Sequence, residues 1–239
     1  MNEMQEYQIV VQKVVQEIRN NLENKITMDE LAGLAHYSPY HFNRIFKGVM
    51  GIPPKRFLGA LRIEKSKDLL EKTSKSITDI CLDVGYSSLT TFSNLFTKEV
   101  GLSPLKYKKG NRLIKKDHTI EADKIIGRLT GSIIIPNNFN GKIFMGVFPT
   151  SIPQGKPRHC IILKNGPFFN INLDAKGKFY LLAVAIPDNN SECSDLRGKQ
   201  KKYVASYGPF TTSDGPVNEY IDLTFHLQNP TDPPILTGL

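Results

Sequence analysis

The chain has 239 residues, is 40% hydrophobic and carries a formal net charge of +8, which permits one or two domains that each bury a core. Its three cysteines are widely spaced and form no CxxC pair, which argues against a disulfide framework or a zinc site. Without a signal-peptide pattern or an apolar run of about 18 residues, we expect a cytoplasmic protein with no membrane partner.

The charge is unevenly distributed along the chain. Residues 1–116 contain 19 Lys and Arg against 12 Asp and Glu, whereas the remainder contains 12 against 11. A basic excess can serve solubility alone, but it is also expected of a surface that meets phosphates. The first half of the chain is therefore the candidate nucleic-acid-binding half.

The first predicted helices come in quick succession. Apolar residues at helical spacing predict a scaffold helix over Ile9–Leu22. Thr27 and Glu30 form a capping-box pattern for a helix over Met28–Leu34. After the turn His36-Tyr37-Ser38, Ser38 is the predicted N-cap of a helix that begins at Pro39.

The helix that begins at Pro39 has two faces. Its buried stripe is predicted to be Phe42, Ile45, Phe46 and Val49, and its outward stripe is Tyr40, Asn43, Arg44 and Lys47. Such a stripe is usually only solvated, but these long side chains have several donors. Arg pairs bidentately with guanine and Asn with adenine, while Lys47 is expected to touch phosphate. We expect His41 either to reach phosphate or to pack as an outward histidine.

A connecting helix is predicted over Pro53–Lys72. Twenty helical residues span about 30 Å, close to the ~34 Å between successive major-groove faces. One chain could therefore insert two recognition helices on the same side of a duplex.

A second pair of short helices follows. Ile77, Ile80, Cys81 and Val84 recur at helical spacing, Gly85-Tyr86-Ser87-Ser88 breaks the pattern, and Gly101 ends the next helix before Ser103-Pro104 begins another. Two helices around a glycine-containing turn outline a helix-turn-helix. The outward stripe of its second helix is Thr90, Ser93, Asn94 and Thr97, with Leu89 and Thr91 beside it.

These outward side chains are short and uncharged, so we expect weaker base discrimination than from the first recognition helix. Hydroxyl groups bond to either base type or to phosphate, and Leu89 or a Thr methyl can meet a thymine methyl. Ser88 is read both as the N-cap and as a phosphate contact at the helix terminus, and the two roles are compatible.

The two helix-turn-helix patterns are copies of one unit. Phe42, Phe46, Gly51 and Pro54 match Phe92, Phe96, Gly101 and Pro104 at a constant offset of 50. Upstream of the turn the offset is 49, so Ala32 meets Cys81 and the second turn is one residue longer. With no third copy, the repeat indicates a duplicated unit and not a solenoid.

Three motifs carry a family resemblance: a Gly-aromatic-Ser turn, Phe-x-x-x-Phe, and Gly-x-x-Pro-x-x-aromatic, here Gly85-Tyr86-Ser87, Phe92 to Phe96 and Gly101 to Tyr107. Through them the region from about Val10 to Lys109 resembles the DNA-binding domain of the AraC/XylS family of transcription regulators. That domain has two helix-turn-helix units joined by a long helix. Asn94 stands where the family usually has Arg, and Cys81 stands where Ala is usual.

The resemblance covers under half of the chain and implies a double helix-turn-helix DNA-binding domain at residues 1–116. It further implies double-stranded DNA and RNA polymerase as partners. The basic stretch Leu105–Lys116 is read as a phosphate-touching end or as a solvated linker, and we place the domain boundary near residues 112–123. This family often has its DNA-binding part last, whereas here it comes first.

Beyond residue 120 the periodicity changes. Short apolar or alternating runs separated by turn signals predict seven strands: Lys124–Ile135, Lys142–Phe148, His159–Leu163, Phe168–Leu173, Lys178–Ile186, Tyr203–Tyr207 and Tyr220–Leu227. We therefore expect a multidomain protein, with an all-α double helix-turn-helix domain followed by an all-β sandwich at residues 120–239. Gly131 to Ile186 loosely resembles prealbumin-like sandwiches of carboxypeptidase regulatory-type domains.

No catalytic constellation is found in the second domain, and we predict no enzyme activity, cofactor or metal. His159 and Cys160 are neighbours in a strand, so their side chains point to opposite faces and cannot form a dyad. Four aromatic residues are candidates for lining a ligand pocket or for packing in the core: Tyr203, Tyr207, Phe210 and Tyr220.

Three functions remain open for the second domain. It can sense a small-molecule effector or contact a partner within a sequence-specific transcription regulator. It can instead be an enzymatic or carbohydrate-binding module that the DNA-binding part only localises. Finally, it can serve purely for self-association, for example as a homodimer.

Overall fold

The computed structural model describes residues 3–110, 125–136, 139–153, 155, 157–164, 166–188, 202–212 and 217–234. The chain divides into two compact units. The helical unit consists chiefly of Met1–Leu113, and the β unit consists chiefly of Ile114–Pro153 and Pro157–Asn229.

The described part of the helical unit contains seven helices: α1 Glu3–Asn20, α2 Met28–Leu34, α3 Pro39–Met50, α4 Pro54–Lys72, α5 Ile77–Asp83, α6 Leu89–Val100 and α7 Pro104–Lys108. The predicted helices are found, although α1 begins six residues before the predicted Ile9. The extension Glu3–Gln8 adds mostly exposed side chains, so it has no apolar stripe by which sequence could detect it.

Local capping sets the helix boundaries. Thr27 and Glu30 form the predicted capping box, and Ser76 with Asp79 forms a second one at the start of α5. Gly51 and Gly101 end α3 and α6 with φ of 73° and 85°, a left-handed conformation that glycine adopts without steric cost.

The helical core is built around α4. Residues from α4 that lose nearly all exposure include Phe57, Leu61, Ile63 and Leu70. The repeated phenylalanines of α3 and α6 are also fully buried: Phe42, Phe46, Phe92 and Phe96. Val49, predicted to be buried, is only half-buried.

The described part of the β unit contains eight strands: β1 Gly127–Ile134, β2 Gly141–Phe148, β3 His159–Leu163, β4 Phe168–Leu173, β5 Gly177–Pro187, β6 Tyr203–Thr212, β7 Val217–Thr224 and β8 His226–Leu227. They form a three-stranded sheet of order β4-β1-β7 and a five-stranded sheet of order β3-β2-β5-β6-β8. The predicted strand Tyr220–Leu227 is thus divided at Phe225, and its two parts belong to different sheets. Phe225 is buried, and its amide donates to Ile134 O.

The pairing of β1 with β7 is parallel, whereas every other described strand pair is antiparallel. Gly131 on β1 lies opposite Ile221 on β7. A Cβ atom at Gly131 would lie 1.9 Å from Ile221 O, so only glycine permits this approach.

The two sheets share one hydrophobic cluster. The three-stranded sheet contributes Leu129, Phe169 and Ile221, among others, and the five-stranded sheet contributes Met145 and Leu181. The alternating burial along β1 and β4 places one face of their sheet in this cluster and leaves the other exposed.

Within the described residues, no helix has the length and apolarity to cross a membrane. Three sequence predictions fall wholly or partly outside these residues: the boundary near residues 112–123, the end of the basic stretch Leu105–Lys116, and Lys124 at the start of the first predicted strand.

Candidate nucleic-acid interface

The two helix-turn-helix units share their turn geometry. In the first, the amide of Tyr37 donates to Ala32 O at 3.0 Å, and in the second the amide of Tyr86 donates to Cys81 O at 3.0 Å. Gly85 has φ of 83°, and at the equivalent place in the first turn His36 has φ of 57°. Among the described non-glycine residues, only His36 has a positive φ, a conformation that carries a steric cost. The repeat therefore extends to the backbone of the turns.

An arginine of α4 holds the second turn in place. The Arg62 guanidinium donates from Nε to Leu22 O at 2.9 Å and from Nη2 to Asn24 O at 2.8 Å. Its Cζ lies 5.5 Å from the centroid of the Tyr86 ring, within cation–π range. Burial raises the pKa of the Tyr86 hydroxyl to about 12, and that hydroxyl has no hydrogen-bond partner among the described residues.

The outward stripe predicted on α3 is exposed. Tyr40 is 84% exposed, and Asn43, Arg44 and Lys47 are also on the solvent side. Ser38 caps the helix by accepting from the amide of His41, and Pro39 occupies the first turn. The opposite face packs into the core through Phe42 and Phe46. Packing thus fixes which side of α3 is available to a ligand.

His41 is packed and not extended into solvent. Its ring centroid lies 4.9 Å from that of Tyr37 and 6.4 Å from that of Tyr7 on α1. Its Nδ1 lies 3.3 Å from Nη2 of Arg44. This packing fits the expected outward, partly packed histidine, and a contact of His41 with phosphate stays a prediction. The contact also places the Arg44 guanidinium against a ring that sequence alone did not connect with it.

The outward stripe predicted on α6 is also largely exposed. Solvent reaches five of its predicted contact residues, Ser88, Leu89, Thr90, Thr91 and Asn94, whereas Ser93 is half-buried. Ser88 Oγ accepts from the amide of Thr91, so the capping role of Ser88 is present. Thr97 Oγ1 donates to Ser93 O at 2.7 Å, which engages this hydroxyl within its own helix.

The two outward faces carry no exposed carboxylate. α3 contains no Asp or Glu, and Glu99, the acidic residue of α6, is only 8% exposed. Burial raises the pKa of the Glu99 carboxyl, an effect that Arg56 and Lys98 oppose. Both helices carry an exposed lysine in their last turn, Lys47 and Lys98. A polyanion could therefore approach either face without meeting like charge.

The described residues contain no group of three or more His, Cys, Asp or Glu that could hold a metal ion. His159 and Cys160 follow one another in β3. Nε2 of His159 lies 2.9 Å from Asp174 Oδ1, so this histidine is engaged by a carboxylate. Of the four aromatic residues considered for a ligand pocket, three lie on β6 and pack in or against the core, Tyr203, Tyr207 and Phe210, whereas Tyr220 is 63% exposed on the other sheet.

Residues 31–110 match the family model described as a helix-turn-helix domain. This match includes α3 and α6 but not α1, although the sequence resemblance was placed from about Val10. The chain is similar to the "Bifunctional transcriptional activator/DNA repair enzyme AdaA" of Bacillus subtilis (strain 168), with 32% identity over 103 residues that cover 43% of this chain and 49% of that protein.

It is also similar to the "Melibiose operon regulatory protein" of Escherichia coli (strain K12), at 33% identity over 102 residues covering 43% of this chain and 34% of that protein. A solved structure, the DNA-binding domain of the global transcriptional factor AdpA in complex with a target DNA, is 25% identical and covers 42% of this chain and 90% of that chain, with a TM-score of 0.41. The chain spans about half or less of the length of these two curated relatives.

Proposed function

We propose that this chain, whose residues 31–110 form a helix-turn-helix domain of the AraC/XylS type, is a sequence-specific DNA-binding transcription regulator. Residues 1–116 are the DNA-binding domain, and residues 120–239 are an effector or interaction domain. The regulator acts in the cytoplasm on double-stranded DNA and contacts RNA polymerase, and it has no enzyme activity.

The observation that carries this proposal is the pair of exposed, carboxylate-free faces on two helices of the same repeated unit. α3 presents Tyr40, Asn43, Arg44 and Lys47, and the second face presents Ser88, Leu89, Thr90, Thr91, Ser93 and Asn94. Hydrogen-bond donors on an exposed helix of this kind are suited to base edges and phosphates. The first face has the bidentate groups, so it reads sequence more sharply than the second.

The two faces are proposed to enter successive major grooves. α4, which lies between the two units in sequence, has 19 residues, which at the ordinary helical rise corresponds to about 28 Å. The repeat of the duplex is about 34 Å, so one chain can place both helices on one side of the DNA. A homodimer is not needed for two-site contact, although it would extend the site further.

For the β unit we propose a sandwich of the two sheets, of a prealbumin-like type, that senses a ligand or contacts a partner. A shared hydrophobic cluster between the sheets supports a sandwich. The alternative functions are a carbohydrate-binding or enzymatic module, and a domain for self-association.

In vitro selection from a random duplex library, with the full chain as bait, tests the DNA-binding proposal. The expected product is a motif in two parts, with centres about 10–10.5 base pairs apart. Selected duplexes should bind more tightly than scrambled ones of equal length in the same salt. A motif with one short part would contradict two-groove binding, and enrichment of no motif would contradict sequence-specific binding.

A further inference from the structure

The outer face of the three-stranded sheet carries two exposed aromatic rings among hydrogen-bonding side chains. Phe168 on β4 is 65% exposed and Tyr220 on β7 is 63% exposed. Neither ring contributes to the shared core, which the same strands enter through Phe169 and Ile221. Most of each ring's surface therefore lies in solvent and remains available to a ligand.

Strand register places the two rings on one platform. Phe168 lies opposite Ser132 of the central strand β1, and Tyr220 lies opposite Thr130. These two positions of β1 are two residues apart and face the same way. With ordinary strand spacing, the Cα atoms of the two aromatic residues lie about 12 Å apart, on either side of the central strand.

Polar groups occupy the space between and beside the rings. Asn170 is exposed and lies opposite Thr130. The Arg128 guanidinium donates to Asn172 Oδ1 at 3.3 Å, and the Ser132 hydroxyl donates to Asp222 Oδ1 at 2.5 Å. The face thus combines planar amide, carboxylate and guanidinium groups with hydroxyls. Neighbouring side chains on the sheet hold several of these groups in place.

This combination matches the chemistry of a sugar. One face of a pyranose ring presents C–H groups that stack on an aromatic ring, while its edge presents hydroxyls that both donate and accept. An amide or a carboxylate group has two hydrogen-bonding atoms and can therefore bond to two neighbouring hydroxyls of a sugar. A flat surface with rings at two places suits a chain of sugars more than a compact ligand, which would need a concavity.

Charge and polarity argue against two other occupants. The described side chains of this face include one cation, Arg128, and one anion, Asp222, so a polyanion gains little there. A second copy of the chain would bury Asn170, Ser132 and Asp222. Serine and aspartate are both depleted at protein–protein interfaces. A neutral ligand rich in hydroxyls leaves neither the charges nor the amides without partners.

We propose that the outer face of the β4-β1-β7 sheet binds a neutral oligosaccharide, stacked on Phe168 and Tyr220 and hydrogen-bonded by Asn170, Asn172, Arg128 and Asp222. This proposal names a ligand class for the β unit, and its regulatory meaning rests on the proposed function. Sugar binding itself does not require DNA.

Calorimetric titration of the full chain with maltohexaose, cellohexaose, xylohexaose and mannohexaose, each to about 10 mM, covers the millimolar affinities typical of shallow sites. At least one of the four is expected to bind. Phe168→Ala and Tyr220→Ala should each weaken that binding roughly three- to tenfold, the loss expected for one stacked ring. Leu227→Ala, which removes an exposed apolar side chain from the five-stranded sheet, should leave it unchanged.

The same samples are then tested for DNA binding without sugar. Phe168→Ala should bind the selected duplex as the wild type does. Sugar binding without DNA binding would reject the proposed function and keep this site. Binding of none of the hexaoses, wild-type affinity for the sugar in both ring variants, or a wild-type dimer that Tyr220→Ala dissociates would overturn the sugar site.

Discussion

The rings of Phe96 and Tyr107 lie 5.6 Å apart between centroids, with an interplanar angle of 74°. Fifty residues earlier, Phe46 and Phe57 lie 5.7 Å apart at 60°. The hydroxyl of Tyr107 also donates to Glu71 Oε1 at 2.6 Å, an additional link between α7 and α4. The sequence repeat is therefore a repeat of core packing, in which an aromatic residue after the glycine closes each unit.

Phe96→Ala should unfold the second helix-turn-helix. Phe96 is fully buried between Phe92 and Tyr107, and truncation of a buried phenylalanine costs about 3–5 kcal/mol. Thermal unfolding followed by circular dichroism should show a large drop in the melting temperature of the helical unit. Leu89→Ala on the exposed side of α6 is the control. An unchanged melting temperature for Phe96→Ala would contradict its place in the core.

Arg44→Ala should weaken specific DNA binding by about 1–3 kcal/mol and relax discrimination at one base pair. Its guanidinium lies on the exposed face of α3 beside His41. Fluorescence anisotropy with the selected duplex and its single-base variants measures both effects. Lys178→Ala removes an exposed cation from the β unit and should change neither. Equal weakening on every duplex would instead make Arg44 a phosphate contact.

The division of labour predicts that residues 1–116 alone fold and bind the selected duplex, whereas residues 120–239 alone do not. This expectation rests on the net charge, which is +7 for residues 1–116 against +1 for residues 117–239, and on the presence of both recognition helices in the first fragment. Affinity of that fragment should fall steeply with salt, because counterions are released from phosphates. The β unit can still change affinity by a coupling of about 1–3 kcal/mol.

Mobility shifts of both fragments over a salt series check this division. Tight, salt-sensitive binding by residues 120–239, or none by residues 1–116, would defeat it.

Gly131→Ala should destabilise the β unit, because the added Cβ would lie 1.9 Å from Ile221 O and force β1 away from β7. Gly33→Ala is the matched control, since a Cβ there meets no atom within 4 Å. In a helix the control exchange is expected to stabilise by roughly 0.5–1 kcal/mol. Urea unfolding of the two variants should give midpoint shifts of opposite sign. A Gly131→Ala midpoint equal to that of the wild type would show that the sheet can widen there.

Glu99→Gln should make stability less dependent on pH. Burial raises the pKa of the Glu99 carboxyl, so the native state holds this proton to a higher pH than the unfolded chain does. That contribution is complete below the ordinary glutamate range and is lost as pH rises through the raised pKa. The melting temperature of Glu99→Gln relative to wild type should therefore be higher near pH 7 than near pH 4. A difference that is equal at both pH values, or larger at low pH, would contradict the effect of burial.

Local signals made the helices predictable. Thr27 with Glu30 and Ser38 with Pro39 determine boundaries within a few residues of themselves, and those boundaries are found where the sequence places them. The left-handed conformation of His36 was missed, because histidine does not itself indicate positive φ. The repeat contained the signal, since the offset of 49 pairs His36 with Gly85.

Non-local relationships were not predictable in the same way. The alternation of apolar and polar residues located the strands. It could not show that β1 pairs in parallel with β7, because the sequence of neither strand identifies its partner. It also could not decide that the stretch around Phe225 changes sheets. For Tyr220, aromatic character fitted a core or a pocket equally, and only the register shows it on an exposed face. The bases that the predicted contact residues meet depend on the sequence of the DNA, and the protein sequence does not contain that information.

The parallel pairing of β1 with β7 also determines when the β unit can fold during synthesis. Gly127 pairs with Val217, so the central strand of its sheet can pair with β7 only after 90 further residues have been synthesised. The helices of the first unit make contacts over shorter separations and emerge earlier from the ribosome, where amino-terminal domains generally fold first. For the time it takes to make those 90 residues, β1 has an open edge, while helices α1–α7 have already been synthesised. A chain that ends before β7 would therefore contain helices α1–α7 but lack the complete β4-β1-β7 sheet.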